Sequence, residues 1–234
     1  LHKEHFDNIR KKANKIRKDC VKYNFDINMP LSKDLCLFIG AFIGDGFTNV
    51  YNAKTYHSQI SGDKGLDSDY YYNILKPICK DLFGIEPYIY ERKNNNGINF
   101  NLYSKRIYEL LTKRFKMQRG VKCYTVQIPQ EILSSEKSFL NASLRGMFDT
   151  DGGVGIDKRS SYKKPYIRIN YTSSSDALIR QLTKILTDYF INHSIHKKGN
   201  TQMIQINGEE NIKKFMKEIG FANKRHLDKI NKHL

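Results

Sequence analysis

The four cysteines, Cys20, Cys36, Cys79 and Cys123, lack the short spacing of a metal site. They read as free thiols of a protein kept in a reducing, intracellular compartment. No apolar run approaches the length of a membrane span, and no signal peptide is visible. Negative charge is also scarce: 24 Asp and Glu stand against 40 Lys and Arg, giving a formal charge of +16 and a pI near 9.6. That deficit directs the search for a partner to polyanions, nucleic acid first. A Lys-rich surface kept only for solubility is the competing reading, and fifteen Tyr with many Asn, groups that stack on bases or bond to their edges, weigh against it. The chain does not begin with Met, so Leu1 is expected to mark a trimmed or released product.

One stretch is written twice. Leu144-Arg145-Gly146-Met147-Phe148-Asp149-Thr150-Asp151-Gly152-Gly153 reads as an apolar helix ending on an acid and two glycines. Phe38-Ile39-Gly40-Ala41-Phe42-Ile43-Gly44-Asp45-Gly46 repeats the arrangement 106 residues earlier (151 − 45). A helix C-terminus carries partial negative charge, so a carboxylate there costs about 0.3–1 kcal/mol. An acid in that place implies a positive group beside it. At the same offset Cys36, Gly40 and Gly44 align with Ala142, Gly146 and Thr150, two stripes of small residues at i, i+4 and i+8. Such stripes let two helix backbones approach closely. The helices are therefore expected to pack through Gly40, Gly44, Gly146 and Thr150, with Asp45 and Asp151 side by side.

A repeat of this length predicts two similar halves. Residues 1–30 read as a basic N-terminal extension, with Phe6, Ile9, Ala13 and Ile16 at helical spacing. Residues 31–116 form the first half, 117–134 a linker, 135–221 the second half and 222–234 a basic tail carrying Lys224, Arg225 and Lys229. Ser32 is placed to cap a helix over 33–44. Alternation then predicts strands at 47–51 and 56–61, a helix over 67–83 kinked at Pro77 and stopped by Gly84, strands at 87–93 and 98–103, and a helix over 104–115. The linker is expected to hold a short strand at 124–128, and Ser135 to cap the second repeated helix. Strands at 154–157 and 166–172, a helix over 176–190, strands at 195–198 and 202–207 and a helix over 209–219 complete the second half. The fold class is α+β: two pseudo-symmetric α-β-β-α-β-β-α halves with saddle-shaped antiparallel sheets, joined along the repeated helices.

Strand alternation also assigns faces. Ile167, Ile169 and Tyr171 point one way and Tyr166, Arg168, Asn170 and Thr172 the other; Ile98, Phe100 and Leu102 oppose Asn99, Asn101 and Tyr103. His57, Gln59, Arg92, Lys198, Gln205 and Asn207 continue the polar face. An antiparallel sheet normally has a solvated side, so each residue alone is unremarkable. Together the two faces are expected to lie in successive segments of a major groove.

Two carboxylates brought together repel unless protonated or bridged by a cation. Oxygen-only ligation by Asp45, Asp151, the carbonyls of Gly44 and Thr150, and phosphate oxygens suits Mg²⁺, which can activate water for phosphoryl displacement. The competing reading is that each Asp merely caps the turn after its helix. Both segments resemble the signature of the LAGLIDADG homing endonucleases, and the repeated order looks like their single-chain, pseudo-dimeric form. The second copy is near the family's pattern; the first is looser, with Ile43 where the family often has an acid.

The resemblance covers about residues 31–221. It implies a monomer cutting both strands of a long, nearly asymmetric double-stranded DNA site across the minor groove, leaving short 3′ overhangs. It implies Asp45 and Asp151 as shared ligands of two or three Mg²⁺ ions, with Mn²⁺ substituting and Ca²⁺ not supporting cleavage. The family often places a Lys, Gln or similar group near the end of the second strand of each half. Lys64 is the candidate in the first half, and the second offers only Ser173, Ser174 and Ser175, so the strands are expected to be cut at different rates. A non-cleaving protein of the same fold, an intron maturase or DNA-binding regulator, is the alternative. An intein endonuclease is a third reading, although neither a Cys or Ser at position 1 nor a closing His-Asn is present.

Overall fold

The computed structural model describes residues 7, 8, 11, 25–157 and 165–233. Most of the expected basic N-terminal helix, and Cys20, lie outside the described residues. The first repeated helix, α1, runs Lys33–Ile43, and Ser32 caps it by accepting from the Leu35 amide. β1 (Gly46–Tyr51) and β2 (Thr55–Asp63) follow. The next helix starts earlier than its apolar pattern suggests: Asp63 caps α2 (Lys64–Tyr70), a π turn fills Tyr71–Leu75, and α3 continues Lys76–Phe83. Pro77 has no N–H to give to the preceding turn. The strain is absorbed by widening, with the Lys76 amide reaching back to the Tyr71 carbonyl. Gly84, at φ +64°, closes the helix in the left-handed conformation.

β3 (Tyr88–Glu91), β4 (Gly97–Leu102), α4 (Lys105–Glu109) and a π turn at Leu110–Arg114 complete the first half. The linker carries α5 (Gln130–Leu133). Residues 124–128 form no strand, because Ser175 and Gln181 take the backbone groups of Val126 and Ile128 before any strand can. The second repeated helix, α6 (Lys137–Thr150), begins after Glu136. Ser135 does not cap it, since its hydroxyl is spent on the Ile132 carbonyl. β5 (Gly152–Asp157), β6 (Tyr166–Ser173), α7 (Asp176–Asp188), β7 (His193–Lys198), β8 (Thr201–Asn207) and α8 (Glu209–Glu218) repeat the earlier order. The stretch read as a tail folds as α9 (Lys224–His233), burying His226 and Ile230.

Each half holds one four-stranded antiparallel sheet, ordered β1-β2-β4-β3 and β5-β6-β8-β7. The identical orders follow from the duplicated pattern of alternation. Inward residues such as Ile60, Phe100, Ile169 and Ile206 are fully buried against the helices. Burying each such side chain contributes about 1.5–3 kcal/mol.

Among the described residues the two repeated helices form the most extensive helix–helix contact. A Cβ on Gly40 would sit 2.0 Å from the Ser143 carbonyl oxygen, and one on Gly146 would sit 2.1 Å from that of Leu37. Gly44 lies against Thr150, where a Cβ would meet Oγ1 at 2.1 Å. The contact row runs through Leu37, Gly40, Ala41 and Gly44 against Ser143, Gly146, Met147 and Thr150. Cys36, one turn before Gly40, is fully buried, and burial pushes its thiol up to about 12.

Ser175 ties the linker to the second half. Its hydroxyl donates to the Val126 carbonyl at 2.6 Å and accepts from the Leu178 amide that opens α7. Ser175→Ala removes a cap and leaves a part-buried carbonyl without its donor, so a loss of about 2 kcal/mol is expected, read as a fall in Tm of about 4–8 °C.

Candidate active site

The repeated helices deliver their acids to one place. Asp151 caps α6 and Asp45 follows the cap of α1 by one residue; the two carboxyl groups share a hydrogen bond. Burial, then the Asp151 charge beside it, pushes the Asp45 carboxyl up to about 8. Burial also raises Asp151, with Lys122 opposing. The buried Tyr171 hydroxyl donates to Asp151 Oδ2 at 3.5 Å. In front of the acids opens a cavity of about 410 Å³, lined by elements of both halves, including Phe47 of β1, Thr172 and Ser173 of β6 and Thr201 of β8.

The positive group that the misplaced acids implied is Lys122. It comes from the linker, lines the cavity, and its ammonium donates to the carbonyls of Ile43 at 2.7 Å and Gly44 at 2.5 Å. It therefore neutralises the partial negative charge of the α1 C-terminus. Burial lowers its pKa, while Asp151 and Asp45 hold it up. No feature of the linker sequence marked it. The end of α6 has a cation too: Arg225 of the C-terminal segment donates to the carbonyls of Asp149 at 3.1 Å and Thr150 at 2.8 Å. These carbonyls lie 106 positions after those held by Lys122 (149 − 43 and 150 − 44), so the two cations are counterparts.

Lys64 is not brought to the acids. It opens α2 and its ammonium lies 3.6 Å from Glu91, because the β2 strand ends at Asp63 and turns directly into a helix. Ser173 and Ser174 do line the cavity, whereas Ser175 is committed to its cap. The carbonyls of Gly44 and Thr150, expected as metal ligands, each already accept from a cationic side chain.

Among the described residues no group of three or more His, Cys, Asp or Glu converges as a metal site. Two carboxylates in contact nonetheless fit a hard divalent cation that keeps water or phosphate oxygens among its ligands. Burial first, and the Asp151 charge second, disfavour an ionised Asp45, and such an ion would offset both.

The expected base-contacting residues share the faces turned away from the core. Gln59 stands opposite Asn101 and Ser61 opposite Asn99; in the second sheet Arg168 stands opposite Asn207 and Asn170 opposite Gln205. Several are already bonded to one another or to neighbours. His57 Nε2 lies 3.0 Å from Asn101 Oδ1, Arg92 reaches Asn99 at 3.5 Å, and Gln205 donates to Asn207 at 2.9 Å. Arg168 pairs with Asp157 at 2.8 Å and lies over the Tyr166 ring. Lys198 closes β7 opposite Thr201 on the same face. Asn101 is nearly buried, its amide spent on the Tyr88 and Asn99 carbonyls. Extending the alternation to β1 and β3 adds Asn49, Tyr51, Tyr88 and Tyr90, and Arg119 of the linker donates to Asn49 at 2.6 Å.

A duplicated α+β fold with paired acids at the ends of two crossing helices is the class of architecture this defines. The family description "LAGLIDADG-like domain" matches residues 138–220, and "WhiA LAGLIDADG-like domain" matches residues 36–121. The homing endonuclease I-DmoI in complex with DNA and Ca superposes with a TM-score of 0.61 at 15% identity, covering 87% of this chain and 99% of that one. I-WcaI bound to its DNA recognition sequence gives 0.59 at 16% identity, covering 94% and 91%. The chain belongs to the LAGLIDADG family, in the form that carries two motifs in one polypeptide.

Curated relatives include the DNA-directed RNA polymerase subunit Rpo1C of Methanocaldococcus jannaschii, 29% identical over 197 residues. A probable translation initiation factor IF-2 of Thermococcus kodakarensis is 24% identical over 196, and the replication factor C small subunit of M. jannaschii 28% over 205. The alignments cover 83%, 83% and 85% of this chain but span only 20%, 15% and 10% of those proteins. No helix among the described residues is long and apolar enough to cross a membrane.

Proposed function

We propose that the chain is a site-specific endonuclease that hydrolyses both strands of a long, nearly asymmetric double-stranded DNA site and leaves short 3′ overhangs. The observation that carries this reading is the meeting of Asp45 and Asp151 beside Lys122, in a cavity lined from both sheets. Asp45 and Asp151 would hold Mg²⁺, which when bound supplies an activated water and charge stabilisation at the leaving oxygen. The water oxygen bonds to phosphorus as the P–O3′ bond breaks, and the 3′ oxygen takes up a proton. Among the described residues Lys122 has two N–H groups on carbonyls, and its third would be offered to a phosphate oxygen, where developing charge is stabilised. The polar sheet faces, with His57, Gln59, Arg92, Asn99, Tyr166, Arg168, Asn170, Lys198, Gln205 and Asn207, would read base edges.

The recurrence of one segment within an RNA polymerase subunit, an initiation factor and a replication factor supports the reading. Those proteins carry unlike names and the matching segment is 10–20% of their length, as a self-contained module within a larger chain would be. A non-cleaving nucleic-acid-binding protein of the same fold is the alternative. It is favoured by the first half, which matches the WhiA-type description and carries Ile43 where the second half has Asp149.

The test uses duplexes recovered from a randomised pool by retention on the full chain in Ca²⁺, then exposed to Mg²⁺. Cutting in Mg²⁺ with binding alone in Ca²⁺ is the expected result; retention without cutting supports the alternative. Affinity is expected to fall with salt at a log–log slope of about −0.9 per neutralised phosphate.

A further inference from the structure

The edges of the two sheets finish differently. β3 ends one sheet and β7 the other, and Ile89 and Glu91 of β3 recur as Ile195 and Lys197 of β7, 106 residues on (195 − 89 and 197 − 91). In the first half Glu91 meets Lys64, the residue that opens α2, at 3.6 Å. In the second half the charges are exchanged, with Asp176 opening α7 and Lys197 on the edge strand. That pair is not made among the described residues, because Asp176 accepts from Gln202 instead. A groove of about 460 Å³ lies open between α7 and β7, lined by Ile179 and Ile195 and flanked by Arg180 and Lys197. Ile195 is 45% exposed, although Ile204 opposite it on β8 is fully buried. The other described arginines of the second half are committed: Arg145 to the Ile219 carbonyl at 2.8 Å, Arg168 to Asp157, and Arg225 to Asp67 of the first half at 3.0 Å. Lys184, also in the groove, pairs with Asp188 at 2.8 Å. The side chains of Arg180 and Lys197 have no hydrogen-bond or ion partner among the described residues.

An edge strand carries a row of unpaired backbone N–H and C=O groups. An extended peptide that pairs with them lays alternate side chains over whatever adjoins the edge. Ile195 and Lys197 share the groove side of β7, and His196 and Lys198 share the other. We propose that β7 and its groove form a docking site for an extended acidic segment of another protein, added as a strand to the four-stranded sheet. An apolar side chain of the segment covers Ile179 and Ile195, and acidic side chains beside it meet Lys197 and Arg180. Charge selects this occupant. A second copy of this chain would bring the same lysines to the edge on a body of formal charge +16, and would be repelled. Duplex DNA would satisfy the cations but leave the backbone groups of β7 unpaired and Ile195 uncovered. The groove shares no lining residue with the cavity in front of Asp45 and Asp151, so the proposal is independent of the endonuclease reading.

The probe is the fluorescein-labelled peptide Glu-Val-Glu-Val-Glu-Val-Glu, titrated with the full chain and read by fluorescence anisotropy. Binding is expected. A version methylated on its backbone nitrogens keeps the charge but loses the donors of a strand, and should bind about tenfold more weakly. Lys197→Glu should weaken the unmodified peptide about tenfold. Lys80→Glu makes the same charge change on the exposed surface of α3 in the first half and should alter affinity by less than about twofold. Both variants are checked for native circular dichroism, and the methylated peptide needs no variant to fold. Equal affinity for the two peptides, or equal losses in the two variants, would reduce the binding to attraction between an acidic peptide and a basic chain and would overturn the proposal. No binding up to about 1 mM would do the same. A Lys197→Glu variant that loses affinity for duplex DNA and keeps it for the peptide would assign the groove to nucleic acid, overturning the proposal equally.

Discussion

Asp151→Asn is expected to lower the cleavage rate by about a thousandfold or more while DNA affinity in Ca²⁺ stays within a few-fold of wild type. The same holds for Asp45→Asn. Each carboxylate stands to hold cation and phosphate together, so losing either removes charge stabilisation that no neighbour replaces. Among the described residues no third Asp, Glu, His or Cys joins the pair as a metal group. Full activity in either variant, measured on a cleavable duplex, would refute the shared-ligand assignment.

The substitution has a second consequence for the metal-free protein. Asp45 is raised from an ordinary carboxylate value to about 8. Its folded form therefore binds a proton more tightly than its unfolded form. The stability this contributes is fully present below about 4 and is lost as pH rises through about 8. Asp45→Asn should abolish that loss, so its Tm relative to wild type, both in EDTA, should be higher at pH 8 than at pH 5. The comparison must be a difference between variant and wild type, because His226 slopes the other way. Burial, then the charge of Arg225, lowers the imidazole to about 3, so its contribution is lost as pH falls below the ordinary histidine range. A Tm difference that does not change with pH would contradict the buried, repelling pair.

Gly146→Ala carries the other large effect, on assembly. Its Cβ would lie 2.1 Å from one backbone oxygen and 2.8 Å from a backbone nitrogen of the facing helix. Neither can be moved like the tip of a side chain, so the helices must separate along the whole seam. Alanine's helix propensity returns about 1 kcal/mol, which the overpacking cost of about 3 kcal/mol or more exceeds. The net loss of about 2 kcal/mol corresponds to a fall in Tm of about 4–8 °C for a chain of this size. Gly40→Ala should behave alike, since its Cβ would meet the Ser143 carbonyl oxygen at 2.0 Å. An unchanged Tm in both would show that the seam tolerates a wider spacing.

The parts that sequence patterning revealed are those whose signals are local. Alternation placed the eight strands of the described residues within a few residues, and the repeated acid-glycine endings located Asp45 and Asp151 because each motif carries its whole geometry in a few turns. Capping was read well at Ser32, where a polar residue meets the first turn directly, and misread at Ser135, whose hydroxyl found a carbonyl of the preceding turn. Lys122 and Arg225 could not be found this way. Lys122 sits in a connector and Arg225 in the first turn of a helix read as a tail, 77 residues beyond Asp45 and 74 beyond Asp151 (122 − 45 and 225 − 151), and their roles depend on where those segments return. What could have pointed to them is the electrostatic demand of the helix ends, which called for a cation at each without saying which.

That the last segment of the chain closes on the first half has a bearing on how such a protein can be recombined. Asn223 donates to Asp67 at 2.9 Å, and through its amide also to Asp149 at 2.9 Å, so one residue touches α2 of the first half and α6 of the second. The halves thus resemble two rooms sharing a bolt whose socket is in one and whose bar is in the other. A hybrid built by exchanging residues up to the linker would carry the bar without its socket. It would leave the Arg225 guanidinium buried without a counter-charge, a loss of about 3–5 kcal/mol. Exchange becomes feasible only when the incoming first half brings an acid at the position of Asp67, or when the C-terminal helix travels with it.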